Sequence, residues 1–177
     1  RTLSLDVYSY KIKNIFTRVL KGHIAVASFK LNKNSYGDKI DQSARKFLRD
    51  VNLDYPHGTG HGVGYFGNVH EGPQAISRGN KVKFKEGMIT SNEPGYYKKG
   101  HFGIRIENLV YVKKTKNKLK FEDLTLVPID KTLIEKKLLT SSERHWLNKY
   151  HQRVFVCLKK YMNKIELTQL KLACSDI

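Results

Sequence analysis

Three histidines and two isolated glutamates lie in one stretch of the sequence, among glycines and short runs of β-forming residues. The histidines are His57, His61 and His70, and the glutamates are Glu93 and Glu107. Imidazole together with several carboxylates is a ligand set that suits hard or borderline divalent metals, manganese above all. The stretch therefore predicts a divalent-metal site.

Two other interpretations of the glycine-rich segment fit less well. His57 and His61 are four residues apart, as in a helical zinc motif, but the glutamate of that motif is missing. The alternating glycines also disfavour a helix, since each costs about 1 kcal/mol relative to alanine. Residues 62–67 match the G-x-G-x-x-G pattern of dinucleotide sites, yet no helix follows to receive a pyrophosphate. Glycines at this density instead let the backbone approach a ligand or a neighbouring strand.

Two helices are expected before this segment. Apolar residues recur at helical spacing from Tyr10 to Ala27, which predicts an amphipathic helix. A second helix is expected to begin with Asp41 as its N-cap and to bury an apolar face as far as Val51.

Short strands are expected after the segment. Residues 81–84 and 87–92 are predicted to form two of them. In residues 104–107, isoleucines alternate with Arg105 and Glu107, so these two polar side chains should leave a strand on the same face. Helices followed by antiparallel strands are typical of the α+β class.

The C-terminal region has a different composition after Pro128. Thr140 to Glu143 forms a capping-box pattern that predicts the start of a helix. His145 and His151 lie on this helix without acidic neighbours, so both are predicted to be surface residues. The division expected is a domain over residues 1–130 and a helical extension over residues 131–177.

The basic composition does not by itself indicate a nucleic-acid site. The chain has 33 Lys and Arg against 16 Asp and Glu, a net charge of +17, but residues 51–110 carry only 7 basic and 5 acidic groups. The excess is scattered, mostly lysine, on the flanks, so nucleic-acid binding is expected to be no more than loose and salt-sensitive. No apolar run approaches the length of a membrane span, which makes a membrane partner unexpected. Two distant cysteines predict a cytoplasmic location.

Four motifs occur in order and resemble one peptidase family, the pita-bread metallopeptidases that include methionine aminopeptidase, prolidase and Xaa-Pro aminopeptidase. The motifs are HGTGHGVG at 57–64, VHEGP at 69–73, EPGYY at 93–97 and GIRIEN at 103–108. They are most similar to those of cytosolic Xaa-Pro aminopeptidases. The resemblance implies the second half of a pita-bread fold, in which two helices pack on a curved antiparallel sheet and a helical C-terminal extension follows.

The resemblance also implies roles for individual residues. By position, His61, Glu93 and Glu107 would ligate a pair of divalent ions, expected to be Mn²⁺. Glu93 would also act as the proton acceptor, His70 would steady the scissile carbonyl or shuttle a proton, and His57 would line the substrate pocket. Arg105 would orient a ligand carboxylate.

Two metal ligands of the family pattern have no match in this sequence, which leaves the function open. The family uses two more aspartate ligands, and no aspartate here matches them, so the chain is expected to hold three of five ligands. The leading hypothesis is an Xaa-Pro aminopeptidase portion that acts on peptides with proline at the second position. It would form a homodimer or associate with a missing N-terminal half. The alternatives are a non-catalytic module that binds a protein or nucleic acid, and the remnant of a split gene.

Overall fold

The computed structural model describes residues 1–32, 35–116 and 118–177, which form two compact units. The first unit is Arg18–Thr125 and is called the site unit here. The second consists of Arg1–Thr17 with Leu126–Ile177 and is called the terminal unit. Helices and antiparallel strands occur together, which confirms the predicted α+β class.

The described residues form the following elements in chain order: α1 Tyr10–Ala27, α2 Gly37–Arg49, β1 Gly60–His61, β2 Ala75–Ile76, β3 Ile89–Asn92, β4 Gly95–Lys98, β5 Phe102–Arg105, β6 Asn108–Thr115, β7 Lys118–Asp123, α3 Ser141–Leu158 and α4 Lys164–Ala173. Three short 3-10 helices, at Lys131–Leu133, Lys136–Leu138 and Lys159–Tyr161, complete the set.

Glycines allow the two N-terminal helices to pack closely against neighbouring backbone: α1 against α2, and the start of α2 against β2. A Cβ atom on Gly22 of α1 would stand 2.5 Å from the Ala44 carbonyl oxygen of α2. A Cβ on Gly37, the first residue of α2, would stand 1.7 Å from the Ala75 carbonyl oxygen. Close approach of two backbones at these positions requires the absence of a side chain.

The predicted N-cap at Asp41 is wrong. Helix α2 begins at Gly37, after Tyr36, and Asp41 is buried inside the helix. Its side chain has partners elsewhere in the fold, which is why it does not cap the helix: it accepts hydrogen bonds from Arg45 and Thr59. The predicted helix from Tyr10 to Ala27 is confirmed.

The strands of the site unit form one three-stranded sheet and two short antiparallel pairs. The sheet has the order β3-β6-β7, β1 pairs with β2, and β4 pairs with β5. An isolated bridge between Gly62 and Thr90 links the end of β1 to β3. The core against the sheet holds nine buried apolar residues: Val26, Leu31, Ile40, Ala44, Ile76, Phe84, Val110, Val112 and Phe121.

Two strand predictions need correction. Residues 81–84 do not form a strand; Lys83 makes only a single bridge to Tyr36, and the Asn80 side chain accepts the Val82 amide that a strand partner would have used. Strand β5 ends at Arg105, so Glu107 lies in the gap between β5 and β6 rather than within a strand. The Ile106 amide still donates to the Pro94 carbonyl in the register of the β4–β5 pair, but Pro94 has no amide hydrogen to extend the ladder, so the pairing ends there.

In the terminal unit, α3 begins with the predicted capping box between Thr140 and Glu143. His145 is exposed as expected, but the prediction that His151 lies on the surface is wrong. His151 is fully buried, and its Nε2 accepts a hydrogen bond from the Ile129 amide at 3.0 Å. Burial lowers the pKa of His151 to about 4, with the positive charges of Lys131 and Arg1 acting in the same direction.

Within the described ranges, no helix combines the length and the apolar character needed to cross a bilayer. The predicted domain division at residue 130 remains a prediction, since a division by contacts does not define an evolutionary domain.

Candidate active site

The backbone around His61 is fixed by the strands on either side of it. His61 in β1 faces Ala75 in β2. Its amide donates to the Ser91 hydroxyl at 2.9 Å, and its carbonyl accepts from the Thr90 hydroxyl at 2.8 Å. Gly60 allows this contact, because a Cβ there would lie 2.0 Å from the Ser91 carbonyl oxygen. The glycine beside His61 is thus explained by packing.

The His61 imidazole is directed at Glu93. Its Nδ1 is 3.1 Å from the Gly62 carbonyl oxygen, and its Nε2 is 3.2 Å from Glu93 Oε1. A carbonyl only accepts hydrogen bonds, so Nδ1 is assigned the proton in the neutral ring and Nε2 presents its lone pair to the carboxylate. Two acceptors directed at one another are satisfied by a cation between them or by protonation of the ring.

This pair fits a divalent metal. A histidine ligand usually donates its second ring N–H to a carbonyl or carboxylate, as the Nδ1 contact with Gly62 allows. Ligand atoms about 2.1 Å from one ion and at right angles to each other lie about 3 Å apart. The 3.2 Å separation of His61 Nε2 and Glu93 Oε1 agrees with that spacing.

Glu93 is a buried carboxylate with partners on both oxygens. Ser91 Oγ donates to Oε1 at 2.9 Å, and Arg105 Nη1 lies 3.3 Å from Oε2. The Glu93 amide donates to the Thr59 carbonyl at 2.7 Å, which joins the end of β3 to the segment before His61. Ser91 was not identified from the sequence, although it lies two residues before Glu93, the spacing that places two side chains on the same face of a strand.

Tyr97 is a second residue that the sequence did not single out. Its hydroxyl lies 2.8 Å from His57 Nε2 and accepts a hydrogen bond from Arg105 Nε at 2.7 Å. Gly103, opposite Tyr97 in the β4–β5 pair, and Gly95 leave room for the ring: Cβ atoms there would lie 3.1 Å from Tyr97 Cδ1 and 2.6 Å from its hydroxyl. Two glycines around one aromatic in a hairpin are the signal that could have identified it.

Arg105 lies between Glu93 and Tyr97: its Nη1 is 3.3 Å from Glu93 Oε2, and its Nε donates to the Tyr97 hydroxyl. Burial on its own would lower the pKa of Arg105, but the hydrogen bond with Tyr97 and the negative charges of Glu93 and Glu107 raise it. Its guanidinium also lies over the Tyr97 ring, 5.6 Å from the centroid. Arg105 therefore stays charged beside Glu93.

A cavity of about 300 Å³ joins these side chains. It is lined by His57, Gly58, Gly60, His61, His70, Glu93 and Arg105. The rings of His61 and His70 are 4.0 Å apart between centroids. Five of the six predicted site residues thus line one cavity.

Glu107 is the predicted site residue that does not line the cavity. It is half-buried, and its charge acts on Arg105. Over residues 1–32, 35–116 and 118–177, no three His, Cys, Asp or Glu side chains form a group arranged to hold a metal ion. The three-residue ligand set consequently remains a prediction, of which the structure brings together His61 and Glu93.

The aspartates of the site unit are engaged elsewhere. Asp41 and Asp54 both bind Arg45, and Asp50 pairs with Lys46 on the surface. Asp38 accepts from the Gln42 side chain and from the Gly79 amide; Asp123 accepts from the Asn108 side chain. None of them lines the cavity described above.

Comparison with known proteins identifies relatives over the whole chain. The profile of metallopeptidase family M24 matches residues 1–114, and that of the C-terminal region of peptidase M24 matches residues 117–177. A probable Xaa-Pro aminopeptidase P from Botryotinia fuckeliana is 44% identical over 95% of this chain, and aminopeptidase P2 from Arabidopsis thaliana is 47% identical over 88% of it. The chain spans only 27% and 23% of those proteins, respectively.

Solved structures give the same result. The X-prolyl aminopeptidase of Caenorhabditis elegans, described as a cytosolic enzyme with a di-nuclear active site, aligns with a TM-score of 0.92 and 39% identity. The alignment covers 100% of this chain and 31% of that one. Prolidase from Pyrococcus furiosus aligns with a TM-score of 0.63 and 28% identity over 71% of this chain and 35% of that one. These matches confirm the predicted pita-bread fold, and the chain belongs to metallopeptidase family M24.

Proposed function

We propose that this chain supplies part of the active site of a metal-dependent Xaa-Pro aminopeptidase. The reaction is hydrolysis of the peptide bond between an N-terminal residue and a following proline. The observation that carries the proposal is the pair formed by His61 Nε2 and Glu93 Oε1, 3.2 Å apart in a cavity that His57, His70 and Arg105 also line. The similarity to proteins named Xaa-Pro aminopeptidase supports the substrate class.

The metal in this proposal is a pair of divalent ions, for which Mn²⁺ is the expected identity. His61, Glu93 and Glu107 would hold them, and the di-nuclear site of the Caenorhabditis elegans relative supports two ions. Bound divalent ions lower the pKa of a coordinated water and polarise a carbonyl. Since the aspartates of the site unit are engaged elsewhere, we propose that the remaining ligands come from residues outside this chain.

The chain's own residues have separate tasks around the reacting bond. The Glu93 carboxylate accepts the proton of the attacking water and returns it to the leaving proline nitrogen. Ser91 and Arg105 hold the two oxygens of that carboxylate and so fix its direction. Arg105 also keeps a positive charge 3.3 Å from the Glu93 carboxylate.

The two remaining histidines contact the substrate in this proposal. His70 is next to His61 at the cavity wall and donates a hydrogen bond to the scissile carbonyl. His57, held by Tyr97 at 2.8 Å, lines the pocket for the peptide. The similarity to proteins named Xaa-Pro aminopeptidase favours a peptide with proline at its second position as the substrate, and by analogy with the relative described as cytosolic the location is the cytoplasm.

The test is hydrolysis of an Xaa-Pro peptide in the presence of Mn²⁺. The chain is assayed alone and after co-expression with the N-terminal part of the Caenorhabditis elegans relative, in wild type, Glu93→Gln and Glu86→Gln forms. Glu86 is an exposed glutamate outside the cavity and serves as the matched control. We expect turnover only in the co-expressed form, unchanged in Glu86→Gln and lowered about 100-fold or more in Glu93→Gln. Co-expressed protein that binds its two parts and Mn²⁺ but cleaves no such peptide would refute the proposal.

A further inference from the structure

Arg45 of helix α2 is a buried arginine whose hydrogen bonds leave its own helix. Its Nε donates to Asp41 Oδ2 at 2.8 Å, one turn earlier. Its Nη1 donates to Asp54 Oδ1 at 2.7 Å and to the Tyr55 carbonyl at 2.8 Å, and its Nη2 donates to the His57 carbonyl. Burial alone would lower the pKa of Arg45, but the hydrogen bonds with Asp41 and Asp54 and the nearby negative charges raise it.

Asp41 extends the same contacts towards β1. While its Oδ2 binds Arg45, its Oδ1 accepts from Thr59 Oγ1 at 2.6 Å and from the Thr59 amide at 3.2 Å. The Tyr55 hydroxyl lies 2.5 Å from Thr59 Oγ1, and the Arg45 guanidinium stacks over the Tyr55 ring at 4.0 Å. One turn of α2 therefore binds the chain at positions 54, 55, 57 and 59.

The segment held in this way has no regular secondary structure of its own. Residues 53–59 form bends and irregular backbone, and Gly58 adds conformational freedom next to His57. The His57 ring is directed by contacts at both nitrogens: Nδ1 lies 2.8 Å from the Gly58 carbonyl and Nε2 lies 2.8 Å from the Tyr97 hydroxyl. Both contacts depend on where the backbone at His57 is placed, and Arg45 binds that backbone directly.

We propose that Arg45 is a positioning residue of the site: together with Asp41 it fixes the backbone at His57 and so directs the His57 imidazole towards Tyr97 and into the cavity. This inference rests on the proposed function only in taking the cavity as the peptide site.

If Arg45 only stabilised helix α2, its ion pair with Asp41 would be sufficient. The exposed pair of Lys46 with Asp50, four residues apart on the same helix, shows that simpler arrangement. Arg45 uses three further hydrogen bonds in a planar fork, which lysine cannot reproduce with its single ammonium group. Arg45→Lys therefore keeps the charge beside Asp41 while losing most of the contacts with residues 54–57.

The test measures the orientation of His57 in the 177-residue chain. The nuclear Overhauser effect between the His57 and Tyr97 rings, whose centroids are 5.4 Å apart, is recorded by NMR in ¹³C-His, ¹³C-Tyr labelled protein. We expect it to fall about fivefold or more in Arg45→Lys. It should be retained in Lys46→Met and in Ile40→Val, a change in the apolar core that lowers the unfolding midpoint and leaves every hydrogen-bond partner of Arg45 in place.

An unchanged ring contact in Arg45→Lys, with only a lower unfolding midpoint, would overturn the inference. If Arg45→Lys does not fold, Arg45→Gln replaces it: the variant keeps one side-chain donor group but lacks the guanidinium fork that binds Asp54, Tyr55 and His57, and the ring contact should again fall about fivefold. An unchanged contact in Arg45→Gln would then overturn the inference.

A kinetic measurement separates this inference from the proposed function. In the co-expressed form, we expect Arg45→Lys to raise KM for the Xaa-Pro peptide about tenfold with a smaller change in kcat. Loss of the ring contact without a change in KM supports the positioning of His57 by Arg45 and counts against the substrate role proposed for His57. A raised KM with an intact ring contact overturns the positioning inference.

Discussion

Replacing His151 with glutamine should remove a pH-dependent part of the stability of the terminal unit. His151 is fully buried in α3, and its Nε2 accepts the Ile129 amide at 3.0 Å. Glutamine can offer its side-chain oxygen to that amide but does not titrate. The variant therefore separates the loss of the titrating group from the loss of the hydrogen bond.

The lowered pKa determines the direction in which the stability changes with pH. The pKa of His151 is about 4 in the folded chain against its usual value of 6.5, so the unfolded state binds the proton more tightly. The stability contributed by neutral His151 is present above about pH 6.5 and is lost as the pH falls towards 4. With 1.36 kcal/mol per pKa unit, the loss is roughly 2 kcal/mol by about pH 5 and about 3 kcal/mol at its limit.

The assay is urea unfolding of wild type and His151→Gln at about pH 7 and about pH 5, followed by a probe in α3. The unfolding free energy of wild type should fall by roughly 2 kcal/mol more than that of the variant between these conditions. His145→Gln, at an exposed histidine of the same helix, is the matched control and should behave as wild type. Equal pH dependence in wild type and His151→Gln would show that the burial of the neutral ring is not coupled to folding.

Three further predictions concern the site and one helix end. Gly60→Ala places a Cβ 2.0 Å from the Ser91 carbonyl oxygen, so it should lower the unfolding free energy by about 1–3 kcal/mol in urea denaturation. Tyr97→Phe removes the hydroxyl that contacts His57 and Arg105, and a lost hydrogen bond of about 1 kcal/mol should lower kcat/KM of the co-expressed form roughly fivefold. Thr140→Ala removes the cap of α3 and should cost about 1 kcal/mol of unfolding free energy.

Each of these three has a matched control and an outcome that would contradict it. Gly67→Ala is the comparison for backbone strain without a clash, since nothing lies within 4 Å of the Cβ position there, and a loss of unfolding free energy as large as that of Gly60→Ala would contradict the clash at Gly60. Tyr65→Phe removes a hydroxyl from an exposed ring outside the cavity, and equal kcat/KM losses in both tyrosine variants would refute the role of Tyr97. For the helix cap, Ser142→Ala is the neighbouring hydroxyl, and a larger loss there than in Thr140→Ala would be inconsistent with the capping box.

Local signals in the sequence predicted much of the fold because they depend on neighbours along the chain. The spacing of apolar residues from Tyr10 to Ala27 gave α1 with its observed bounds, and the Thr140–Glu143 pattern marked the start of α3. The strand alternation predicted Arg105 and Glu107 on one face of a strand; in the structure the strand ends at Arg105, which lies beside Glu93. Periodicity and capping are properties of a single element, so they can be judged without tertiary structure.

Features that depend on distant partners could not be predicted in this way. Asp41 has the residue type of an N-cap, but its partner Thr59 lies 18 positions later, and that tertiary contact decides its role. His151 is buried, and the partner of its ring is the amide of Ile129, 22 positions earlier, which the spacing along α3 does not reveal. Tyr97 acquires its place through pairing of β4 with β5, which brings Gly103 opposite the ring.

The candidate site was predicted mainly through its motifs rather than through geometry. Composition and spacing alone indicated a divalent-metal site, and the resemblance supplied the role of each residue. The structure places His57, His61, His70, Glu93 and Arg105 around one cavity. Glu107 follows β5 across a short gap, where alternation along a strand no longer fixes the direction of its side chain.

The central claim is that His61 and Glu93 together bind a divalent metal, and pulsed electron paramagnetic resonance of bound Mn²⁺ tests it most directly. The method detects coordinated imidazole nitrogen, and the chain is measured at saturating Mn²⁺ as wild type, His61→Ala, Glu93→Gln and His145→Ala. We predict a signal from one imidazole nitrogen that is retained in His145→Ala, lost in His61→Ala and weakened in Glu93→Gln. An imidazole signal that persists in His61→Ala, or its absence from wild type, would contradict the account.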